Sequence, residues 1–279
     1  MNTLILNSNN KVAPHRFEYI FPTSVRFEKG DEIALQSISL YNSIFNIEAI
    51  RGNNKFSIIW NADSTVQHNF TIPDGFYDIS SLNYYLQQQC ILNDLYMQDA
   101  DGNYVYFAEI VTNASQYAGQ INAYPLPTSA QASTLGYVLP SGASWTSPTT
   151  AKTAQLVIPT TAFGDLIGFL PATYPTVIES TTQQFLSITT PQIAPVNSIL
   201  IGCNLLNSPY TNPCHLFYSI PIQTQFGGLI NVQNASPIFS NIASGQYSKI
   251  VIEFYDQKFE ALRLHDFEVV IVLNLKKKM

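Results

Sequence analysis

The chain has 279 residues, enough for one large domain or two modest ones with a buried core. Only 11% of them are charged, against ~25% in an average soluble domain, and Asn, Gln, Ser and Thr fill the gap. With a net charge of −6 the whole-protein field does not attract nucleic acid, and no apolar run approaches spanning length, so no membrane insertion is expected.

Short runs rich in aromatic and β-branched residues, punctuated by Pro, Gly and Asn, predict strands from the start of the chain. The first are Thr3 to Leu6, Phe17 to Phe21 and Glu32 to Tyr41. In the last, Ile33, Leu35, Ser37, Ser39 and Tyr41 are expected on one face and Glu32, Ala34, Gln36, Ile38 and Leu40 on the other. Residues 52–184 have a different character and read as an inserted domain. Phe56 to Trp60 and His68 to Ile72 are strand-like. Asp78 is a helix N-cap, followed by Ile79, Leu82, Leu86 and Cys90 near helical spacing and by Asn93 as a stop; this short helix is expected to pack on a sheet. Asp101-Gly102 marks a hairpin between Tyr96-Met97 and Tyr104 to Ile110. Pro125 to Pro148, rich in Ser, Ala, Thr and Pro, holds little to bury and is expected to be a long loop and the most mobile region.

Further strands are predicted at Phe185 to Ile188, Ser198 to Leu206, Leu216 to Ile220, Leu229 to Val232, Ser248 to Tyr255 and Asp266 to Leu275. Outside the insertion that makes nine candidates, and eight close a jelly roll, two packed antiparallel sheets with Greek-key crossings. The expected fold class is all-β: a single jelly-roll sandwich of residues 1–51 and 185–279, with a large inserted mainly-β domain, residues 52–184, containing one short helix.

Enzyme chemistry needs convergent polar groups. His15, His68, His215 and His265 lie in separate strand-like contexts, and none forms a metal pair such as H-E-x-x-H. Cys203 with Cys214-His215 is the nearest approach to a metal cluster, but a paired C-x-x-C is missing. The sequence has no G-x-S-x-G elbow and no phosphate-binding glycine loop; Gly227-Gly228 is better read as a bend between strands. In Asp99 to Asn103 the glycine stands fourth where a calcium loop needs it sixth, so a hairpin turn is the better reading. No catalytic, cofactor-binding or metal-ligating residue is assigned, and neither enzymatic activity nor a cofactor is expected.

Cys90, Cys203 and Cys214 are too scattered for a disulfide framework and read as buried thiols of a reducing compartment. A basic, apolar leader is not visible, so secretion by signal peptide is not expected. Lys276-Lys277-Lys278 read as solvating the end of the apolar run Val269 to Leu275 and guarding it against edge pairing, in preference to nucleic-acid contact. The 17 Phe, 16 Tyr and 2 Trp read chiefly as core and subunit interface. Tyr117, Tyr124, Tyr137 and Trp145, in or beside the Pro-rich stretch, are the candidates for exposed rings.

Gly30-Asp-Glu-Ile-Ala-Leu-Gln-Ser-Ile-Ser-Leu40, Asn53-Asn-Lys-Phe56, Trp60, and Thr71-Ile-Pro-Asp-Gly-Phe-Tyr-Asp-Ile-Ser-Ser-Leu82 with Asn83-Tyr-Tyr-Leu-Gln87 resemble the penton (minor capsid) proteins of virophages and Maverick/Polinton-like viruses. The similarity continues in order through Val105-Tyr-Phe107, Phe163-Gly-Asp-Leu-Ile-Gly-Phe169, Tyr174-Pro175, Pro191, Pro195-Val-Asn-Ser198, Cys203-Asn-Leu205, Leu216-Phe-Tyr-Ser219 and Phe254-Tyr-Asp-Gln257. The resemblance implies a structural subunit of the virion, assembled inside the host cell as a homopentamer at capsid vertices. Its partners would be other copies of itself, a major capsid protein with a double jelly roll and, for a vertex protein, a host receptor. The inserted domain would face outward and the termini lie low. Residues Ser129 to Ala154 match nothing in the family, so no role is carried over to them. Low charge agrees with assembly, because few ions must be stripped of water against a neighbouring copy. Two other readings stay open from the residues alone. One is a receptor- or glycan-binding β-protein, a spike or lectin-like module with exposed rings beside Asp or Asn. The other is a hydrolase on a jelly-roll scaffold, with clustered carboxylates or histidines.

Overall fold

The structure, a computed structural model, describes residues 2–266 and 268–278. Eight main strands lie outside the insertion: β1 (Asn2–Leu6), β2 (Arg16–Phe27), β3 (Glu32–Tyr41), β4 (Ser198–Cys203), β5 (Leu216–Pro221), β6 (Leu229–Gln233), β7 (Gly245–Tyr255) and β8 (Val270–Lys276). They make four nested antiparallel pairs, β1 with β8, β2 with β7, β3 with β6 and β4 with β5. Nested pairing of this kind is one long hairpin, and rolling it up gives the two sheets observed, β1-β8-β3-β6 and β5-β4-β7-β2. That is a jelly roll. Short strands at Ser240–Asn241 and Lys11–Ala13 add to β3 and β2. The facing sides fill the core: Ile33, Leu35, Ile38 and Leu40 of β3 with Ile271 and Leu273 of β8 on one side, Phe17, Ile201, Ile252 and Phe254 on the other.

The expected alternation along β3 breaks at one residue. Ile33 and Leu35 point inward, but so do Ile38 and Leu40, which strict alternation puts on the opposite face. The pairing with β8 explains it: Leu273 faces Leu35 while Val272 faces Ser37, so Gln36 is one extra residue, a β-bulge. Its side chain is held on both ends, accepting from Asn274 Nδ2 at 2.7 Å and donating to the carbonyl of Asn234 at 3.0 Å. Past the bulge the outer face of β3 is therefore Ser37, Ser39 and Tyr41 instead of a second apolar stripe.

The chain separates into two compact units, Met1–Phe45 with Ala194–Met279, and Asn46–Ile193; the sequence reading put the junctions at 51/52 and 184/185. The ends of the inserted unit are joined through Asn46, whose Nδ2 donates to the carbonyls of Tyr77 and Ile193 at 2.8 and 2.9 Å. Phe185 to Ile188, counted above as a sandwich candidate, belongs elsewhere. The strand is Gln183–Leu186, and it pairs with Ala118–Ala123 of the inserted unit. The residues after it are anchored there too, because the N–H groups of Ile188 and Thr189 donate to the carbonyl of Gly168. Gly168 has φ +81°, and a Cβ there would run into the carbonyl oxygen of Thr189, so the position needs glycine twice over.

The inserted unit contains a four-stranded sheet in the order Ala172–Tyr174, Gln155–Ile158, Lys55–Asn61, Thr65–Thr71, and a three-stranded one of Gln183–Leu186, Ala118–Ala123 and Ala108–Asn113. Among the described residues three helices occur, where one was expected: α1 (Ile79–Leu92), α2 (Ser129–Leu135) and α3 (Thr161–Ile167). Helix α1 begins and ends where read, with Asp78 Oδ1 accepting from the Ser81 N–H at 2.7 Å and Asn93 at the C-cap. Helix α2 lies inside the stretch expected to be a loop. Thr128 and Gln131 form a reciprocal capping box and Gly136 closes the helix in the left-handed conformation. That stretch also buries a large ring. Trp145 donates its indole N–H to the carbonyl of Asp94 at 2.6 Å and meets Trp60 edge-on at 5.1 Å. Tyr124 and Tyr137 pack on the same core, so of the four rings proposed as exposed only Tyr117 is.

Candidate functional surfaces

The residues singled out for possible chemistry do not converge. His215 Nε2 lies 3.2 Å from the Tyr255 hydroxyl, and His265 stacks on Phe45 with 3.8 Å between centroids. His68 is half-buried in the strand Thr65–Thr71, which holds its imidazole below the ordinary pKa, while the carbonyl of His15 accepts from the N–H of Phe254. Cys90 and Cys203 are buried, and desolvation pushes each thiol up to about 12. Cys214 is exposed, against the expectation of a buried thiol, because it precedes β5 in a surface loop. Among the described residues no group of three or more His, Cys, Asp or Glu could hold a metal ion. Asp99 spends its carboxylate on the hairpin turn, accepting from the N–H groups of Asp101 and Asn103 at 2.9 and 2.8 Å and from Asn103 Nδ2 at 3.0 Å. Gly227, φ +79°, makes the bend before β6.

The three C-terminal lysines are stitched to the sandwich. Lys276 pairs with Glu32 at 3.2 Å, Lys277 Nζ donates to the carbonyl of Arg26 at 3.3 Å, and the backbone N–H of Lys278 donates to Asp31 Oδ1 at 2.9 Å. Asp31 is buried, and the N–H groups of Glu28 and then Lys278 hold its carboxyl below the usual range. Because the folded pKa is depressed, this stabilisation is fully present above the unfolded value of ~3.9 and is lost as pH falls through the folded one. Asp31→Asn should therefore unfold with a weaker dependence on pH between about 5 and 2, measured as the urea midpoint at each pH; parallel curves for the two proteins would contradict it.

The two outer faces of the sandwich differ in kind. Across β5-β4-β7-β2 runs a chain of ionic contacts: Lys249 to Glu18 at 2.9 Å, Glu18 to Arg16 at 2.7 Å, Arg16 to Glu253 at 3.7 Å, then Tyr255 donating to Glu253 at 2.8 Å. Two cations meet two anions, so this face is neutral through internal pairing. Across β1-β8-β3-β6 the outward positions run Ile5, Val272, Ser37, Gln233 on one level, Val270, Ser39, Asn231 on the next, then Tyr41, Leu229. None is charged. Ile5, Val270, Tyr41 and Leu229 are all exposed. No helix among the described residues is long and apolar enough to cross a membrane.

No protein-family model and no curated protein matches the chain. Among solved structures it is similar to the mavirus penton protein, a selenomethionine-labelled crystal structure, with 13% identity over 100% of both chains and a TM-score of 0.41. It is also similar to a chain of the Sputnik virophage particle solved by cryo-electron microscopy, with 12% identity over 100% of this chain and 98% of that one and a TM-score of 0.37.

Proposed function

We propose that the chain is a structural capsid subunit of the penton type, five copies closing a ring at an icosahedral vertex of a virion. The observation that carries this reading is the uncharged, partly apolar stretch of the outer face of β1-β8-β3-β6 that runs past the bulge from Ile5 and Val272 to Tyr41 and Leu229. A protein of net charge −6 repels copies of itself, and a contact is least costly where no ion has to be desolvated. The ordered run of penton-like sequence segments supplies the word "virus", and the jelly-roll strand order fits it.

A ring of identical subunits uses head-to-tail contacts that join two different patches, and it closes when each step is a fifth of a turn. The sandwich has two unlike outer faces, one with a broad stretch free of charge and one crossed by a chain of ion pairs, which suits a heterologous contact. Each copy would bury on the order of 1,000–2,500 Å² against each neighbour, half the total typical of obligate interfaces. The ring would sit among capsomers of a double-jelly-roll major capsid protein. Negative-stain electron microscopy of the purified protein, with native mass spectrometry, should show fivefold rings of five chains. A protein that stays monomeric at high concentration, both alone and with its major capsid partner, contradicts the proposal.

A further inference from the structure

The inserted unit carries a groove of about 560 Å³ along α1, within the ~300–1,000 Å³ of small-molecule sites. Its rings are Tyr77, Tyr84 and Tyr85, and its polar groups include Asp78, Ser81 and Gln88. Positions 81, 84, 85 and 88 share one side of the helix, while Ile79, Leu82, Leu86 and Cys90 are buried on the other. Two of the rings are fixed in place. Tyr85 lies edge-on to Phe56 with 6.3 Å between centroids, and its hydroxyl donates to the carbonyl of Thr71 at 2.7 Å. The backbone N–H of Tyr77 donates to Asn46 Oδ1 at 2.9 Å. Its ring lies against Gly75, where a Cβ would come within 2.9 Å of the ring edge. Tyr84 stands beside them 63% exposed.

The chemistry of the lining selects a ligand. A pyranose has an apolar C–H face, which stacks on an aromatic ring, and a rim of hydroxyls, which bond to carboxylate, hydroxyl and carboxamide groups. Asp78 uses Oδ1 to cap α1, leaving Oδ2 to accept from a sugar hydroxyl. Burial and the carboxylate of Asp74 hold the Tyr77 phenol above its ordinary pKa, so it remains a donor. Among the described residues no Lys or Arg lines the groove, and two nearby carboxylates disfavour an anionic sugar. We infer that this groove on α1 binds neutral hexose units of a glycan. It uses residues of the inserted unit alone and does not depend on ring formation.

The test applies labelled full-length protein to an array of neutral and sialylated glycans, then titrates the best neutral binder against variants. Tyr84→Ala should weaken binding at least tenfold and Gln88→Ala severalfold. Tyr210→Ala, which removes a ring 95% exposed in the other unit, should leave it unchanged. All three should keep the assembly state of the parent, so loss of binding is read separately from loss of rings. Retention of no glycan, retention of sialylated glycans only, or an affinity indifferent to Tyr84→Ala overturns the assignment.

Discussion

Val270→Lys and Ile5→Lys, each setting one charge into the outer face of β1-β8-β3-β6, are expected to leave the subunit folded and to abolish its rings. Both side chains are exposed, and exposed substitutions away from special features change stability by about 0.5 kcal/mol or less. In the proposed assembly the same ammonium would be buried without a partner at every contact, at a cost on the order of 3–5 kcal/mol each. Since ~1.4 kcal/mol is tenfold in affinity, every contact weakens by roughly 10²–10³, and a closed ring multiplies the effect. Ser39→Ala, on the same face without a charge, should assemble as the parent does. Sedimentation velocity reads the outcome and far-ultraviolet circular dichroism checks the fold. Full rings from both lysine variants would remove this face from the contact.

Trp60→Ala should be the most damaging single change in the inserted unit. Trp60 is almost fully buried and lies edge-on to Phe107 at 5.8 Å and to Trp145 at 5.1 Å. Truncation removes both ring contacts and leaves a cavity, for an expected loss of about 3–5 kcal/mol and a fall in Tm on the order of 10 °C. Trp60→Phe should cost much less. The indole Nε1 is buried with no hydrogen-bond partner among the described residues, so the smaller ring also removes an unsatisfied donor. Thermal and urea melts decide it, and a Trp60→Ala protein within about 1 kcal/mol of the parent would show that the site collapses around the cavity.

Which segments become strands was largely legible, because β-branched and aromatic runs bounded by turn residues report local preference. All eight main strands of the sandwich fall on predicted runs, and α1 sits between its predicted cap and stop. What the sequence could not show was the partner of each strand. The Phe185 segment has the composition of a sandwich strand, but its place is set by backbone hydrogen bonds around Gly168. The bulge at Gln36 was hidden for another reason: apolar residues on both parities of β3 fit either an unbroken strand with two apolar faces or a broken one with a single face. The outward placement of Ser37, with Ile38 and Leu40 turned into the core, follows from that one residue. In the Pro-rich stretch the capping signal Thr128-x-x-Gln131 is local and visible in the sequence, whereas burial of Trp145 depends on Trp60 and Asp94, distant in the chain. The groove on α1 had a trace in the sequence, since Ser81, Tyr84, Tyr85 and Gln88 share the side opposite the buried stripe. The bracing of Tyr77 and Tyr85 by Gly75, Phe56 and Thr71 did not.

The nested pairing of the sandwich also sets a timetable for synthesis. β1, β2 and β3 leave the ribosome first, yet their main partners β8, β7 and β6 all come after residue 193. At about 5–20 residues per second, translation of the intervening unit takes on the order of 10–30 s. Through that interval the first three strands keep open edges able to pair with a neighbouring nascent chain. The inserted unit, wholly emerged before β6, β7 and β8, is free to fold while β1, β2 and β3 wait.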